Sequence, residues 1–212
     1  VFGIPLYAET LVLYWNKDLF TNEGIALAPK TWDEFLEISQ RLTKKDSSGN
    51  ILISGSAMGR AKNIKYAPEI LTALFLQSGE KIIDSSGKTV FGDGIQTGKT
   101  FIRPAESALR FFSEFSDPQK ASRSWSSSLS EAKEMFISGK LAMYVGKSSE
   151  YPELVKRNPE SASVRSKETG RAIPYPLSYP IPCVGTIYQK NKQGQLRLKI
   201  KWRRLKDNIQ FL

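Results

Sequence analysis

Short apolar runs that alternate with capped, amphipathic segments constrain the fold of this chain more than any other feature. The first run, residues 11–15, is almost entirely apolar, as in a strand that is buried on both faces. A capping box from Thr31 to Glu34 then precedes apolar residues at helical spacing. Because this alternation continues to about residue 160, the sequence predicts an α/β architecture.

Local signals predict the other elements. Pro68 and Pro104 each suit the first turn of a helix, and Gly79 suits a helix end. The further predictions are strands at 51–53 and 141–145, a hairpin at 81–91, a capping box from Ser128 to Glu131 and a helix at 151–156.

Composition excludes several kinds of catalytic and metal site. The 212 residues contain no histidine and a single cysteine, Cys183. Ser-His and Cys-His catalytic pairs, an internal disulfide and zinc sites built on histidine or several cysteines are therefore excluded. The acidic pairs Asp33/Glu34 and Glu131/Glu134 lie in first turns of predicted helices, where capping and the helix dipole explain them. We predict no cofactor, no metal and no enzymatic activity.

Residues 92–100 match a phosphate-binding loop only in part. The motif requires a glycine five positions before Gly98, and Asp93 stands there. Its negative charge would repel phosphate, so we predict a surface loop instead.

The excess positive charge is concentrated at the C-terminal end. Residues 190–212 carry a net charge of +7 out of the +10 of the whole chain. Residues 196–202 alternate apolar with basic side chains, as in a strand with one basic face. Such a face could contact nucleic-acid phosphates, so a nucleic-acid or protein interaction module is the alternative function.

Three stretches, in this order, carry a family resemblance. They are residues 3–20 (GIPLYAETLVLYWNKDLF), residues 29–35 (PKTWDEF) and residues 136–146 (FISGKLAMYVG). Together they resemble the extracellular solute-binding proteins of ABC importers, in particular the carbohydrate-binding members. Weaker matches extend the resemblance over about residues 3–160.

This resemblance implies a type II periplasmic-binding-protein fold, in which two α/β lobes enclose the ligand. Residues 1–8 would end the first lobe and cross over, and residues 9–172 would form most of the second lobe. Residues 173–212 would be a Pro-rich return crossover and a divergent basic tail. The chain is thus expected to be a fragment whose missing upstream part holds the export signal and any membrane anchor. A reading-frame disturbance between about 161 and 206 is one hypothesis for the loss of the family pattern there.

The resemblance also implies a transport function. Such a protein captures a mono- or oligosaccharide by hinge closure and delivers it to the permease subunits of the importer. It acts at the extracellular face of the membrane or in the periplasm, and no nucleic-acid partner is expected in this role.

The candidate ligand contacts follow from the same resemblance. Glu9 matches a crossover acid that contacts sugar, and Tyr7 lies beside it; a solvated turn glutamate and a core tyrosine are the alternatives. A maltodextrin-binding member has a stacking tryptophan where this chain has Ser149, which argues against a maltodextrin ligand. The full set of candidate contacts is Tyr7, Glu9, Asn63, Tyr66, Gly146, Ser148 and Ser149.

Overall fold

A four-stranded mixed sheet organises the computed structural model, which describes residues 9–97, 100–158, 186–190 and 196–200. The strands are β1 Leu11–Trp15, β2 Lys44–Lys45, β3 Ile51–Ser56, β4 Ile95–Thr97, β5 Thr100–Ile102, β6 Leu141–Lys147, β7 Thr186–Lys190 and β8 Leu196–Ile200. The helices are α1 Lys17–Asn22, α2 Trp32–Leu42, α3 Ala67–Gln77, α4 Pro104–Glu114, α5 Ala132–Ile137 and α6 Tyr151–Arg157. Within this described part, no helix is long and apolar enough to span a membrane.

The inner strand β6 pairs with both β1 and β3, and this pairing decides which loops lie at the same edge of the sheet. The spatial order is β1-β6-β3-β2, with β6 antiparallel to β1 and parallel to β3. The carboxyl ends of β3 and β6 therefore lie at one edge of the sheet, and β1 begins at that edge. Leu11 pairs with Lys147 there. This edge brings together the start of β1, the loop after β3 and the turn after β6.

Small residues allow α2 to lie close to β3. A Cβ on Gly55 would come 1.9 Å from the carbonyl oxygen of Ser39, so only glycine fits at this position. The Ser39 and Ser56 hydroxyls are 2.7 Å apart, and the Ser56 and Ser124 hydroxyls are 3.1 Å apart. These buried hydrogen bonds join the helix, the strand and the loop before α5.

Most predicted elements are confirmed, and so is the α/β class. The predicted strands at 11–15 and 141–145 are β1 and the first part of β6. Thr31 caps α2 as predicted, because its hydroxyl accepts from the Glu34 amide at 3.1 Å. The Glu34 carboxylate, however, accepts from the amide of Lys30 at 2.6 Å, not from that of Thr31.

One helix start was predicted wrongly, and one helix was not predicted. The N-cap of α5 is Glu131, not Ser128, and its carboxylate accepts from the Lys133 amide at 2.9 Å. An ionised carboxylate forms a stronger hydrogen bond than a serine hydroxyl at the positive end of a helix. Helix α1 was not predicted, because Asn16 looked like a strand end; its side chain instead caps the helix by accepting from two amides.

The segment between α3 and α4 differs in detail from its prediction. The hairpin expected at 81–91 is reduced to one bridge between Ile83 and Thr89. A hairpin of β4 and β5 occupies the region where a surface loop was predicted. In a phosphate-binding loop a helix follows the first strand, whereas here the next described element is a second, antiparallel strand.

The structure describes only part of the C-terminal segment for which predictions were made. Strand β8 lies within the alternating stretch 196–202 and pairs with β7 in antiparallel fashion. The other residues of 173–212 lie outside the described residues.

Candidate ligand-binding site

Three side chains meet where β1 begins and β6 ends. The Ser149 hydroxyl donates a hydrogen bond to Oε1 of Glu9, and Nζ of Lys147 lies 2.9 Å from Oε2. The backbone supports this contact, because the Ser148 amide donates to the Thr10 carbonyl at 3.0 Å. We call Glu9, Lys147 and Ser149 the Glu9 cluster.

The Glu9 carboxylate is held in its charged form. The hydrogen bond from Ser149, and then that from Lys147, lower its pKa. The same contact with Glu9 raises the pKa of Lys147. An ionised carboxylate can only accept hydrogen bonds, so Glu9 suits a ligand group that donates, such as a hydroxyl or an ammonium.

Tyr66 lies beside the Glu9 cluster, and two ammonium groups face its ring. Nζ of Lys65 is 5.1 Å from the ring centroid, and Nζ of Lys147 is 5.5 Å from it. Both distances fit cation–π contacts. The residue is only 6% exposed, and burial raises the pKa of its hydroxyl. Lysine ammonium groups therefore already contact this ring.

A buried carboxylate, Glu150, lies behind this surface. It ends the 3-10 helix Ser148–Glu150 and is 7% exposed. The Tyr144 hydroxyl donates to its Oε2 at 2.8 Å, and Nζ of Lys133 lies 3.3 Å from its Oε1. Burial, together with the bond to Glu150, raises the pKa of Tyr144, which therefore stays a neutral donor.

The other predicted contacts have different surroundings. Asn63 is buried: its amide oxygen accepts from Nε1 of Trp125 at 2.9 Å, and its nitrogen donates to the carbonyls of Ser126 and Leu129. Gly146 is buried inside β6, opposite Val12. Tyr7 lies outside the described residues. Ligand contact by each of the three remains a prediction.

The structure thus brings together Glu9, Tyr66 and the Ser148–Ser149 turn. Sequence reasoning missed three charged members of this region, Lys65, Lys147 and Glu150. Each is adjacent in sequence to a residue that was predicted to contact the ligand, so this adjacency could have indicated that it belongs to the site. Their side-chain directions, however, depend on the turn after β6 and the loop after β3.

The fold defines a class of protein. The mixed sheet flanked by helices has the fold of a type II periplasmic binding protein. The family model for bacterial extracellular solute-binding proteins matches residues 2–181, and the chain belongs to this family. The match continues past residue 160, where the resemblance was predicted to end. The family is extracellular, which confirms the predicted location.

Solved structures share this fold at low sequence identity. A solute-binding protein of Thermotoga lettingae bound with α-D-tagatose is 23% identical, with a TM-score of 0.56 over 76% of this chain and 38% of that chain. The substrate-binding protein Lmo0181 of Listeria monocytogenes, in complex with cycloalternan, is 17% identical, with a TM-score of 0.52 over 71% and 35%. CpMnBP1 with mannotriose bound is 21% identical, with a TM-score of 0.54 over 76% and 40%.

The name of one curated relative refers to amino acids and not to a sugar. It is a probable amino-acid ABC transporter periplasmic-binding protein of Sinorhizobium fredii, 30% identical over 104 residues. The match covers 47% of this chain and 22% of the relative. The chain therefore spans less than half the length of these similar proteins.

Proposed function

We propose that this chain is part of the substrate-binding component of an ABC importer and that its ligand is a carbohydrate. The observation that carries this proposal is the Glu9 cluster. A hydroxyl and an ammonium each lie within hydrogen-bonding distance of one ionised carboxylate. Such a set can both accept from and donate to neighbouring sugar hydroxyls.

In this proposal, residues 9–172 form most of one lobe and residues 1–8 belong to the crossover from the other. The ligand binds between the lobes, and hinge closure then encloses it. The closed form docks on the permease subunits. No residue acts as a catalyst, because capture and release break no covalent bond.

An amino-acid ligand is the second candidate, and the name of the Sinorhizobium fredii relative favours it. A ligand ammonium could pair with Glu9, and a ligand carboxylate could pair with Lys65 or Lys147. The sugars bound to the similar solved structures support the first candidate, as does the predicted crossover role of Glu9.

Calorimetry on the full-length protein that contains this chain tests the proposal. The ligands are a panel of mono- and oligosaccharides, with amino acids as the second arm. We expect a sugar to bind and Glu9→Gln to weaken it by about 10- to 100-fold, since charge-assisted hydrogen bonds are lost.

The matched control is Glu37→Gln, which changes an exposed glutamate on α2 and should leave the affinity unchanged. Binding of an amino acid without any sugar would contradict the carbohydrate assignment. Equal affinity of the wild type and Glu9→Gln would contradict the proposed site.

A further inference from the structure

Tyr14 is a buried residue of β1 whose hydroxyl contacts the backbone at the end of β6. It is 5% exposed, and its hydroxyl donates to the carbonyl of Lys147 at 2.7 Å. The carbonyl of Ser148 is farther from the same oxygen, at 3.5 Å. The bond is not part of the sheet ladder, in which Tyr14 pairs with Tyr144 and Lys147 pairs with Leu11. The side chain thus adds a link between the two strands that their pairing does not supply.

The peptide group that accepts this bond is also held at its other polar atom. The carbonyl of Lys147 and the amide of Ser148 belong to one planar peptide unit. The amide donates to the carbonyl of Thr10, just before β1, at 3.0 Å. The plane of this peptide therefore cannot turn without losing its bond to Tyr14 or its bond to Thr10.

This peptide connects the members of the Glu9 cluster along the chain. Strand β6 ends at Lys147, and the 3-10 helix Ser148–Glu150, which carries Ser149, follows directly. On the other strand, Thr10 is the residue after Glu9. The orientation of the peptide therefore decides where the Lys147 ammonium and the Ser149 hydroxyl lie relative to the carboxylate that both contact.

Packing fixes the ring of Tyr14 and thereby the direction of its hydroxyl. The ring stacks on Tyr144, with the centroids 5.9 Å apart and the planes 20° from parallel, and its centroid lies 6.3 Å from that of Phe136. Burial raises the pKa of the hydroxyl, which therefore stays a neutral donor. A phenylalanine could fill the same space without needing a buried acceptor. The hydroxyl is thus the part of Tyr14 that core packing does not require.

We propose that Tyr14 is a positioning residue of the ligand site, which holds the Lys147–Ser148 peptide so that Lys147 and Ser149 meet the Glu9 carboxylate. The expected effect on ligand affinity rests on the proposed function, because it takes the Glu9 cluster as the place where the ligand binds. Tyr14 acts through the peptide and not through contact with the ligand.

The test compares Tyr14→Phe with the wild type in the full-length protein that contains this chain. The substitution keeps the ring that packs on Tyr144 and removes only the hydroxyl that donates to Lys147. Calorimetry with the sugar that binds measures the change. We expect the Kd to rise about five- to tenfold, since one buried hydrogen bond that orders the site is lost.

Tyr151→Phe is the matched control. The Tyr151 hydroxyl is also buried, but within the described part of the chain it has no hydrogen-bond partner. Its removal breaks no such bond and should change the Kd by less than about twofold. Equal affinity of Tyr14→Phe and the wild type, or an equal loss in both variants, would overturn the positioning role.

A second measurement depends on no ligand and reports on the Glu9 cluster itself. In protein labelled with ¹³C at the glutamate carboxyl groups, the resonance of Glu9 is identified by its loss in Glu9→Gln and followed through a pH titration. The bonds from Ser149 and Lys147 lower the pKa of Glu9. We therefore expect the titration midpoint to rise in Tyr14→Phe, where these bonds are less well held, and to stay unchanged in Tyr151→Phe.

The titration separates failure of this inference from failure of the proposed function. An unchanged midpoint in Tyr14→Phe overturns the positioning role whether or not a sugar binds. A raised midpoint in a protein that binds no sugar upholds the positioning role and contradicts the carbohydrate proposal alone.

Discussion

Single side chains in this chain differ in how well their roles could be predicted from sequence. The Thr31 cap depends on residues three positions apart, and it was predicted correctly. The choice of Glu131 over Ser128 depends on which of two nearby acceptors reaches the free amides of α5. For Asn63, sequence identified a loop position but could not tell whether the amide faces outward or inward.

The inward direction of Asn63 leads to a stability prediction. Replacing it with alanine leaves the indole N–H of Trp125 without its acceptor and removes one donor from each of the carbonyls of Ser126 and Leu129. We expect Asn63→Ala to lower the free energy of unfolding by about 2–3 kcal/mol, the usual effect of unsatisfied buried polar groups.

Urea unfolding monitored by tryptophan fluorescence measures this change. Gln40→Ala, at an exposed position on α2, is the control and should have an effect within about 0.5 kcal/mol. A loss of stability no larger in Asn63→Ala than in this control would show that the buried hydrogen bonds contribute little.

At the scale of elements, strands and helices with strong apolar patterns were predictable, and short or polar ones were not. Strands β1 and β6 were predicted because their apolar runs are long enough to indicate full burial. The pairing of β4 with β5 was missed, because a hairpin of three-residue strands leaves little pattern in sequence. The junction of β1 with the turn after β6 joins residues 140 positions apart, which only the fold brings together.

An ion pair joins helices α5 and α6, and it should make the stability of the protein depend on pH. Nη1 and Nη2 of Arg157 each donate to a carboxylate oxygen of Glu134, at 2.8 and 2.7 Å. The bond from Arg157 lowers the pKa of Glu134 in the folded protein. A lowered folded-state pKa stabilises the protein above the unfolded-state pKa, and this contribution is lost as pH falls through the folded-state value.

We therefore expect Arg157→Met to be less stable than the wild type at pH 7, with a difference that disappears as the pH falls below the usual glutamate range. The difference should also shrink in high salt, because the pair is exposed. Urea unfolding across a pH series measures it, with the exposed Arg60→Met as control. A difference that persisted unchanged in acid would show that Arg157 acts through packing and not through charge.

At the scale of the whole molecule, family membership was predictable because three short stretches keep their order over a long distance. The family match over residues 2–181 confirms that prediction. The identity of the ligand is harder to predict, because in the proposed two-lobe arrangement this chain carries only part of the contacts. The Glu9 cluster lies at the carboxyl edge of the described sheet, and in that arrangement its complement belongs to a second lobe.

A crystal structure of the full-length protein with its bound ligand tests the central claim most directly. We expect ligand donor atoms within about 3 Å of the Glu9 carboxylate and a hydrogen bond to the Ser149 hydroxyl. The ligand should be a sugar enclosed between this lobe and a second one. A ligand bound elsewhere, with Glu9 still contacted only by Ser149 and Lys147, would contradict the proposed site.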